Sequence, residues 1–222
     1  MEYIFIFAIN SVVVSTTICI AERLSHNISL WQKQSFCFQC RHPLVWIDMI
    51  PIFSVLVYHH RCRYCHADYG IRYVYLEIIC TIIGLFFWSV PVLWLTYIIL
   101  ILLSLEDYLT QKIHAIILYP WLVCLITIYH DIPHLCLSIS MLTLCLILVH
   151  YRHTLGDGDI PVLLVLILTS KLLSFAYILL TSCFLALTYL LFLKQKRLPF
   201  VPFLHASWII VNLYELLYLQ NF

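Results

Sequence analysis

Long apolar stretches alternate with short polar segments along almost the whole chain. Stretches of this length can cross the hydrocarbon core of a bilayer, where the backbone must satisfy its own hydrogen bonds and therefore becomes helical. The stretches lie at about residues 3–21, 73–90, 92–106, 114–130, 134–150, 160–173, 175–193 and 201–219. The pattern predicts an all-α polytopic membrane protein with about eight transmembrane helices, which has the lipid bilayer as its first partner.

Two of the boundaries between these stretches depend on few residues. Pro91 separates the second stretch from the third, and Lys171 with Ser174 separates the sixth from the seventh. Proline is disfavoured inside a helix and polar groups are disfavoured inside a bilayer, so both positions predict helix ends. Seven or nine helices are the alternatives.

The composition agrees with a membrane protein. Hydrophobic residues make up 64% of the 222 residues and charged residues 10%, whereas soluble domains have about one charged residue in four. The formal net charge is +1, which provides no basic field to attract nucleic acid. We therefore expect no nucleic-acid partner.

The basic residues fall almost entirely in one set of loops. Lys and Arg collect in short cytoplasmic loops of membrane proteins. If the N-terminus lies outside, only Lys171 of the 12 basic residues lies outside with it. The other basic residues would be cytoplasmic, at Arg23, Lys33, Arg41, Arg61, Arg63, Arg72, Lys112, Arg152, Lys194, Lys196 and Arg197. This predicts a first transmembrane helix over 1–22, a cytoplasmic Cys-rich domain over 23–72 and a transmembrane core over 73–222.

The large loop contains two Cys-x-x-Cys pairs, Cys37 with Cys40 and Cys62 with Cys65. Two such pairs can place four thiolates around one tetrahedral Zn²⁺. Two disulfides are the alternative, but disulfides rarely persist in a reducing cytosol. A short loop also has little core of its own, so structural zinc would stabilise it. Nearby histidines that could replace a ligand are His42, His59, His60 and His66.

Acidic pairs lie where two apolar stretches reach the same membrane face. Glu106 and Asp107 end the third stretch, while Asp157 and Asp159 precede the sixth. Carboxylates near lipid are costly, so their presence suggests a function. Two carboxylates brought together there tend to share a proton, which leaves one as base and the other as acid. Such a pair can catalyse peptide hydrolysis.

The second acidic pair lies in the segment Gly156-Asp157-Gly158-Asp159. The two glycines permit unusual dihedral angles and close backbone approach at Asp159. The alternative interpretation is a simple turn, with Asp157 capping the sixth helix and Asp107 solvated at a helix end.

At these residues the sequence resembles the type IV prepilin peptidases, which are Gly-x-Gly-Asp aspartic proteases with leader peptidase and N-methyltransferase activity. It is most similar to the competence-type members of Gram-positive bacteria, and the resemblance covers nearly the whole chain. The matching segments are Ser15 to Arg23, Cys37-x-x-Cys40, Pro43-Leu44, Asp48-x-x-Pro51, Arg61-Cys62-Arg63-Tyr64-Cys65, Ile71-Arg72-Tyr73 with Glu77, Asp107 with Ile113, Gly156-x-Gly158-Asp159 and Pro199-Phe200-x-Pro202-Phe203.

The resemblance implies that Asp107 and Asp159 are the catalytic pair, with Asp157 as an accessory residue or a spectator. It implies prepilin-like precursors as substrates, each with a short basic leader that is cleaved at the cytoplasmic face of the bacterial cell membrane. It also implies methylation of the new N-terminus with S-adenosylmethionine, in which the Cys-rich domain takes part. The sequence shows no Gly-rich methyltransferase loop, so no residue is assigned to that cofactor.

The sequence departs from the family's pattern at several positions. His114 stands where proline commonly follows Ile113, and Ile160-Pro161 replaces an aliphatic-Lys pair. Ile18 stands where asparagine is common, and the first helix lacks its customary glycine. None of these departures removes a catalytic carboxylate.

Two other functional classes are alternatives. A non-catalytic zinc-ribbon scaffold of a secretion or competence machine would explain the cysteines and the topology, but would leave the positions of Asp107 and Asp159 to chance. A transporter would explain acidic groups in the membrane, but such sites lie near the midplane, whereas these acids lie at one face.

Overall fold

The computed structural model describes residues 2–30, 34–37, 39–45, 61–68, 71–129, 131–152, 156–193 and 198–219. Some residues named in the sequence analysis lie outside these described ranges. They are Lys33, Asp48, Pro51, His59, His60, Lys194, Lys196 and Arg197.

The described residues form eight α-helices and no β-strand, which confirms the predicted all-α class. Short 3₁₀ and π-helical turns occur at Ala115–Ile117, Leu148–Arg152 and Glu215–Leu219. The helices are α1 Glu2–Ser25, α2 Ile71–Phe87, α3 Pro91–Thr110, α4 Leu118–Ile128, α5 Ile132–Ile147, α6 Asp159–Thr169, α7 Leu172–Leu193 and α8 Val201–Tyr214.

Four helical segments in the described part of the chain are long and apolar enough to cross a membrane. They are Glu2–Ser25, Pro91–Thr110, Ile132–His150 and Leu172–Phe192. Shorter apolar helices lie at Tyr73–Phe87, Ala115–Ile128 and Asp159–Thr169. The chain is therefore a polytopic membrane protein.

Both weakly marked helix boundaries are present. α2 ends at Phe87 and α3 begins at Pro91, so the proline occupies a first helical position, where its missing N–H costs nothing. α6 ends at Thr169 and α7 begins at Leu172, with Lys171 between them. The two predicted separations are confirmed, but Ser174 lies inside α7 and not at the boundary.

The chain folds as two compact units, Met1–Trp94 and Leu95–Phe222. In the first unit α1 packs against α2, and the fully buried side chain of Asn10 links them. Its Nδ2 donates to the Thr81 carbonyl at 2.6 Å, and its Oδ1 accepts from Trp94 Nε1 at 3.0 Å. Gly84 leaves room for this side chain, because an added Cβ would lie 2.5 Å from Asn10 Nδ2.

In the second unit α6 is the central helix. It packs against α4, α5, α7 and α8, and its residues from Pro161 to Thr169 are buried apart from Leu164. A helix that is apolar on all sides is expected in such a position. The central packing of α6 fixes where its first residue, Asp159, lies in this unit.

Candidate functional site

Asp107 lies near the C-terminal end of α3 and is 6% exposed. Its Oδ2 accepts a hydrogen bond from the backbone N–H of Val201 at 3.0 Å, and the backbone of Phe200 also donates to it. These N–H groups belong to the first turn of α8, where the helix itself provides no acceptor. The start of α8 therefore fixes the orientation of the Asp107 carboxylate.

Asp159 is the first residue of α6 and is half-buried. Its backbone N–H donates to the Gly156 carbonyl at 3.1 Å, which closes a tight turn before the helix. The neighbouring acid, Asp157, is exposed. The turn thus presents one carboxylate towards the protein and the other towards its surroundings.

The glycines of this turn allow close approach. A Cβ on Gly156 would lie 3.3 Å from Asp159 Oδ2, and a Cβ on Gly158 would lie 3.2 Å from Ile113. The expectation of unusual dihedral angles is wrong for Gly158, which has an ordinary right-handed conformation with φ of −69°. At both positions glycine avoids a close contact, with Asp159 at Gly156 and with Ile113 at Gly158.

The structure brings the Asp107 and Asp159 carboxylates near enough to interact electrostatically. α3 contributes one carboxylate from its C-terminal end, and α6 contributes the other from its N-terminal end. Two carboxylates in a largely buried setting tend to share one proton, and they then titrate as a pair. This arrangement can offer a proton acceptor and a proton donor to the same peptide bond.

Glu106 is 1% exposed and bonds to His114 through both of its oxygens. The backbone N–H of His114 donates to Oε2 at 2.9 Å, and the imidazole Nδ1 contacts Oε1. From the sequence, His114 was noted only as a residue that replaces the family's common proline, and its contact with Glu106 was not predicted.

A polar pair in which both side chains are buried lies one helical turn from Asp107. Ser104 Oγ and His205 Nδ1 are 3.0 Å apart, with both residues buried. Sequence reasoning missed this pair, although a serine and a histidine inside apolar stretches were a visible signal. The pair joins α3 to α8 close to the contact between Asp107 and Val201.

Four cysteine thiols of the first unit converge, those of Cys37, Cys40, Cys62 and Cys65. Their sulfurs lie within 4.8 Å of one another, with Cys37 and Cys65 at 3.8 Å and Cys40 and Cys62 at 3.9 Å. A tetrahedral zinc with Zn–S bonds of about 2.3 Å has S···S edges of about 3.8 Å, whereas a disulfide bond is about 2.0 Å long. The predicted set of four cysteines therefore fits structural zinc.

Each cysteine pair lies in a small turn that orients its sulfurs. In the first turn Cys37 N–H donates to the His42 carbonyl at 3.0 Å, and Arg41 N–H donates to the Cys37 carbonyl at 2.8 Å. Arg41 has a positive φ of 57°. The first cysteine is thereby buried, at 2% exposure, while Cys40 remains exposed.

The second turn repeats this geometry. Cys62 N–H donates to the Ala67 carbonyl at 2.8 Å, and His66 N–H donates to the Cys62 carbonyl at 2.9 Å. His66 has a positive φ of 54°, and Cys62 is 1% exposed. The residue after each pair thus adopts the left-handed conformation, which the sequence did not reveal because neither residue is a glycine.

The described histidines near the cluster, His42 and His66, are not part of the metal-competent group. The group that could hold a metal ion consists of the four cysteines. The His42 ring lies 3.5 Å from the Tyr64 ring, centroid to centroid.

The Cys65 thiol has a raised pKa. A hydrogen bond from the Ala67 backbone lowers this pKa, but desolvation and hydrogen bonds with the other thiols outweigh it and raise the pKa to about 12. Thiols crowded in this way become thiolates when a divalent cation balances their charge.

Comparisons with known proteins agree with the motifs. The sequence model of the bacterial peptidase A24 N-terminal domain matches residues 8–90, a range inside the first compact unit. The prepilin leader peptidase/N-methyltransferase of Vibrio cholerae is 25% identical over 143 residues, which cover 54% of this chain and 54% of that protein. No solved structure matches the chain.

Two further relatives carry the same name. The protein of Myxococcus xanthus is 30% identical over 86 residues, covering 39% of this chain and 25% of that protein. The protein of Legionella pneumophila is 30% identical over 59 residues, covering 27% and 21%. The chain thus matches about half or less of the length of each of these relatives. With the domain match over residues 8–90 and the motifs, these relatives support the resemblance of the chain to the type IV prepilin peptidases.

Proposed function

We propose that this protein is a membrane-embedded aspartic endopeptidase that removes the leaders of prepilin-like precursors, including pseudopilin and competence precursors. The observation that carries the proposal is the placement of Asp107 near the C-terminal end of α3 and of Asp159 at the N-terminal end of α6, within range of an electrostatic interaction between their carboxylates. The printed names of the relatives, prepilin leader peptidase/N-methyltransferase, support the substrate class.

The two carboxylates have different surroundings, which suggests different roles. Asp107 accepts backbone N–H groups at the start of α8, where the positive end of the helix dipole complements a negative charge. We assign Asp107 as the base that takes a proton from the attacking water. Asp159, holding the shared proton, donates a hydrogen bond to the scissile carbonyl oxygen. A proton then passes to the leaving amine as the C–N bond breaks.

The position of Asp107 and Asp159 at helix ends suggests the class of substrate. A precursor with one apolar helix and a polar leader can place its helix in the bilayer and its cleavage site at the membrane surface. Both proposed catalytic residues lie at ends of apolar helices, so we place cleavage at the interface. By the distribution of basic residues, that interface is the cytoplasmic face of the bacterial cell membrane.

The test is cleavage of a synthetic prepilin-like precursor by the full chain in proteoliposomes, scored by mass spectrometry. Asp107→Asn and Asp159→Asn should each abolish leader loss, because each keeps the side-chain shape but removes the charge. Asp157→Asn should have a milder effect, and Asp131→Asn, an exposed residue at the start of α5, is the matched control. Near-normal cleavage by either of the first two variants would contradict the proposal and favour a non-catalytic scaffold.

We propose that residues 23–72 form a cytoplasmic zinc-binding domain between the first transmembrane helix, 1–22, and the peptidase core, 73–222. Zinc bound by Cys37, Cys40, Cys62 and Cys65 would have a structural role, since four protein ligands complete a tetrahedral site. The bound zinc would stabilise the folded state of the segment between α1 and α2.

N-methylation of the new N-terminus is a second proposed activity. The matched N-terminal domain contains the cysteine cluster, and the relatives carry both activities in their name. The same assay with S-adenosylmethionine would add one methyl group to the cleaved product. Cleaved product without added mass would limit this protein to the peptidase step.

A further inference from the structure

Glu106 and His114 close a loop directly beside the proposed active site. Glu106 precedes Asp107 on α3, and His114 follows the end of that helix. Both oxygens of Glu106 contact His114, one through the backbone N–H at 2.9 Å and one through the imidazole Nδ1. We call this pair of contacts the Glu106–His114 clamp.

The clamp fixes the loop because the carboxylate is almost fully buried. Glu106 is 1% exposed, whereas the His114 side chain is 53% exposed. A buried carboxylate is stable only when donors satisfy it, so Glu106 resists any movement that withdraws the His114 donors. Proline at this position would lack the backbone N–H that makes one of these bonds.

The clamped loop contacts the turn that carries Asp159. Ile113 directly precedes His114, and it lies so close to Gly158 that an added Cβ there would be 3.2 Å from both Ile113 Cβ and Cδ1. Gly158 in turn directly precedes Asp159. One continuous series of contacts therefore runs from Glu106, beside the first proposed catalytic residue, to Gly158, beside the second.

We propose that Glu106 and His114 are positioning residues that set the separation of Asp107 and Asp159 by holding Ile113 against Gly158. This proposal rests on the proposed peptidase function for its effect on catalysis. A positioning residue acts on turnover more than on binding, because small misplacements of reacting groups lower the rate of the chemical step.

The test compares four variants of the full chain in the precursor cleavage assay. His114→Leu and Glu106→Ala should lower kcat by about tenfold or more, with KM changed by less than about threefold. His114→Asn keeps the backbone N–H and offers a side-chain amide N–H near the position of Nδ1, so it should retain kcat within about threefold. Lys112→Leu, at an exposed position in the same loop, is the control.

Hydrogen–deuterium exchange of the same purified proteins gives a readout that needs no substrate. His114→Leu and Glu106→Ala should speed exchange over 111–117 and also over 156–160, while His114→Asn and Lys112→Leu should not. Unchanged exchange over 156–160 in both disruptive variants, or equal kcat in His114→Leu and wild type, would overturn the proposal. If the wild-type protein cleaves no precursor, the peptidase proposal fails, and exchange alone still decides whether the clamp orders the turn.

Discussion

The backbone N–H of Val201 donates a hydrogen bond to Asp107 Oδ2 at 3.0 Å, across 94 positions of sequence. α8 begins with Val201 and Pro202 and has no capping side chain of its own. Asp107 therefore supplies an acceptor that the first turn of the helix lacks. The proposed catalytic carboxylate is thus also part of the packing of α3 against α8.

This double role allows catalysis and stability to be separated at Asp107. Asp107→Asn keeps an acceptor oxygen, and asparagine caps helices as well as aspartate does, so its melting temperature should stay near the wild-type value while cleavage falls by about 10³-fold or more. Asp107→Ala should lose cleavage and also lower the free energy of unfolding by about 1 kcal/mol. Thermal unfolding followed by tryptophan fluorescence measures the difference, and equal melting temperatures of the two variants would contradict the capping role.

Gly158 should not tolerate a side chain. Gly158→Ala would press a methyl group against Ile113 at 3.2 Å, displacing the turn before Asp159, so we expect about a tenfold or larger loss of kcat. Because Ile113→Gly removes both atoms that would lie 3.2 Å from the added methyl group, Cβ and Cδ1, it should restore part of the activity in the double variant. If the double variant is no more active than Gly158→Ala alone, the close approach is not the reason for the glycine.

The cysteine cluster should hold about one zinc per chain, measured by elemental analysis of the purified protein. Cys37→Ser and Cys62→Ser should each lose the metal and loosen the segment between α1 and α2, as should a strong chelator. Cys183→Ser, at an exposed position on α7, is the control and should keep full metal content. Zinc retained in both cluster variants would show that the metal binds elsewhere.

Asn10 and Gly84 should be coupled in the first unit. Gly84→Ala places a Cβ 2.5 Å from Asn10 Nδ2, and overpacking of this kind costs about 1–3 kcal/mol. Asn10→Ala alone loses the bonds to Thr81 and Trp94. The double variant should be more stable than the sum of the single effects predicts, because the clash is then absent. Additive melting temperatures would rule out this coupling.

Local features of the sequence determined the helices and the metal ligands. The apolar stretches gave the helices of the described chain close to their observed bounds, and Pro91 and Lys171 marked real helix boundaries. The spacing within each Cys-x-x-Cys pair was enough to identify the ligands that converge. These features are local, since helix formation in lipid and a two-cysteine turn depend on residues that are near in sequence.

Tertiary structure alone decided which polar side chains meet. The bond from Val201 to Asp107, the linkage of α1 and α2 by Asn10, and the contact of Ile113 with Gly158 depend on how whole helices are rotated and packed. Helices that are apolar on nearly all sides carry little information in their periodicity about which face turns inward. The sequence therefore determined which carboxylates and thiols were available, while the packing of the helices determined their partners, because in lipid close packing and buried hydrogen bonds select the arrangement.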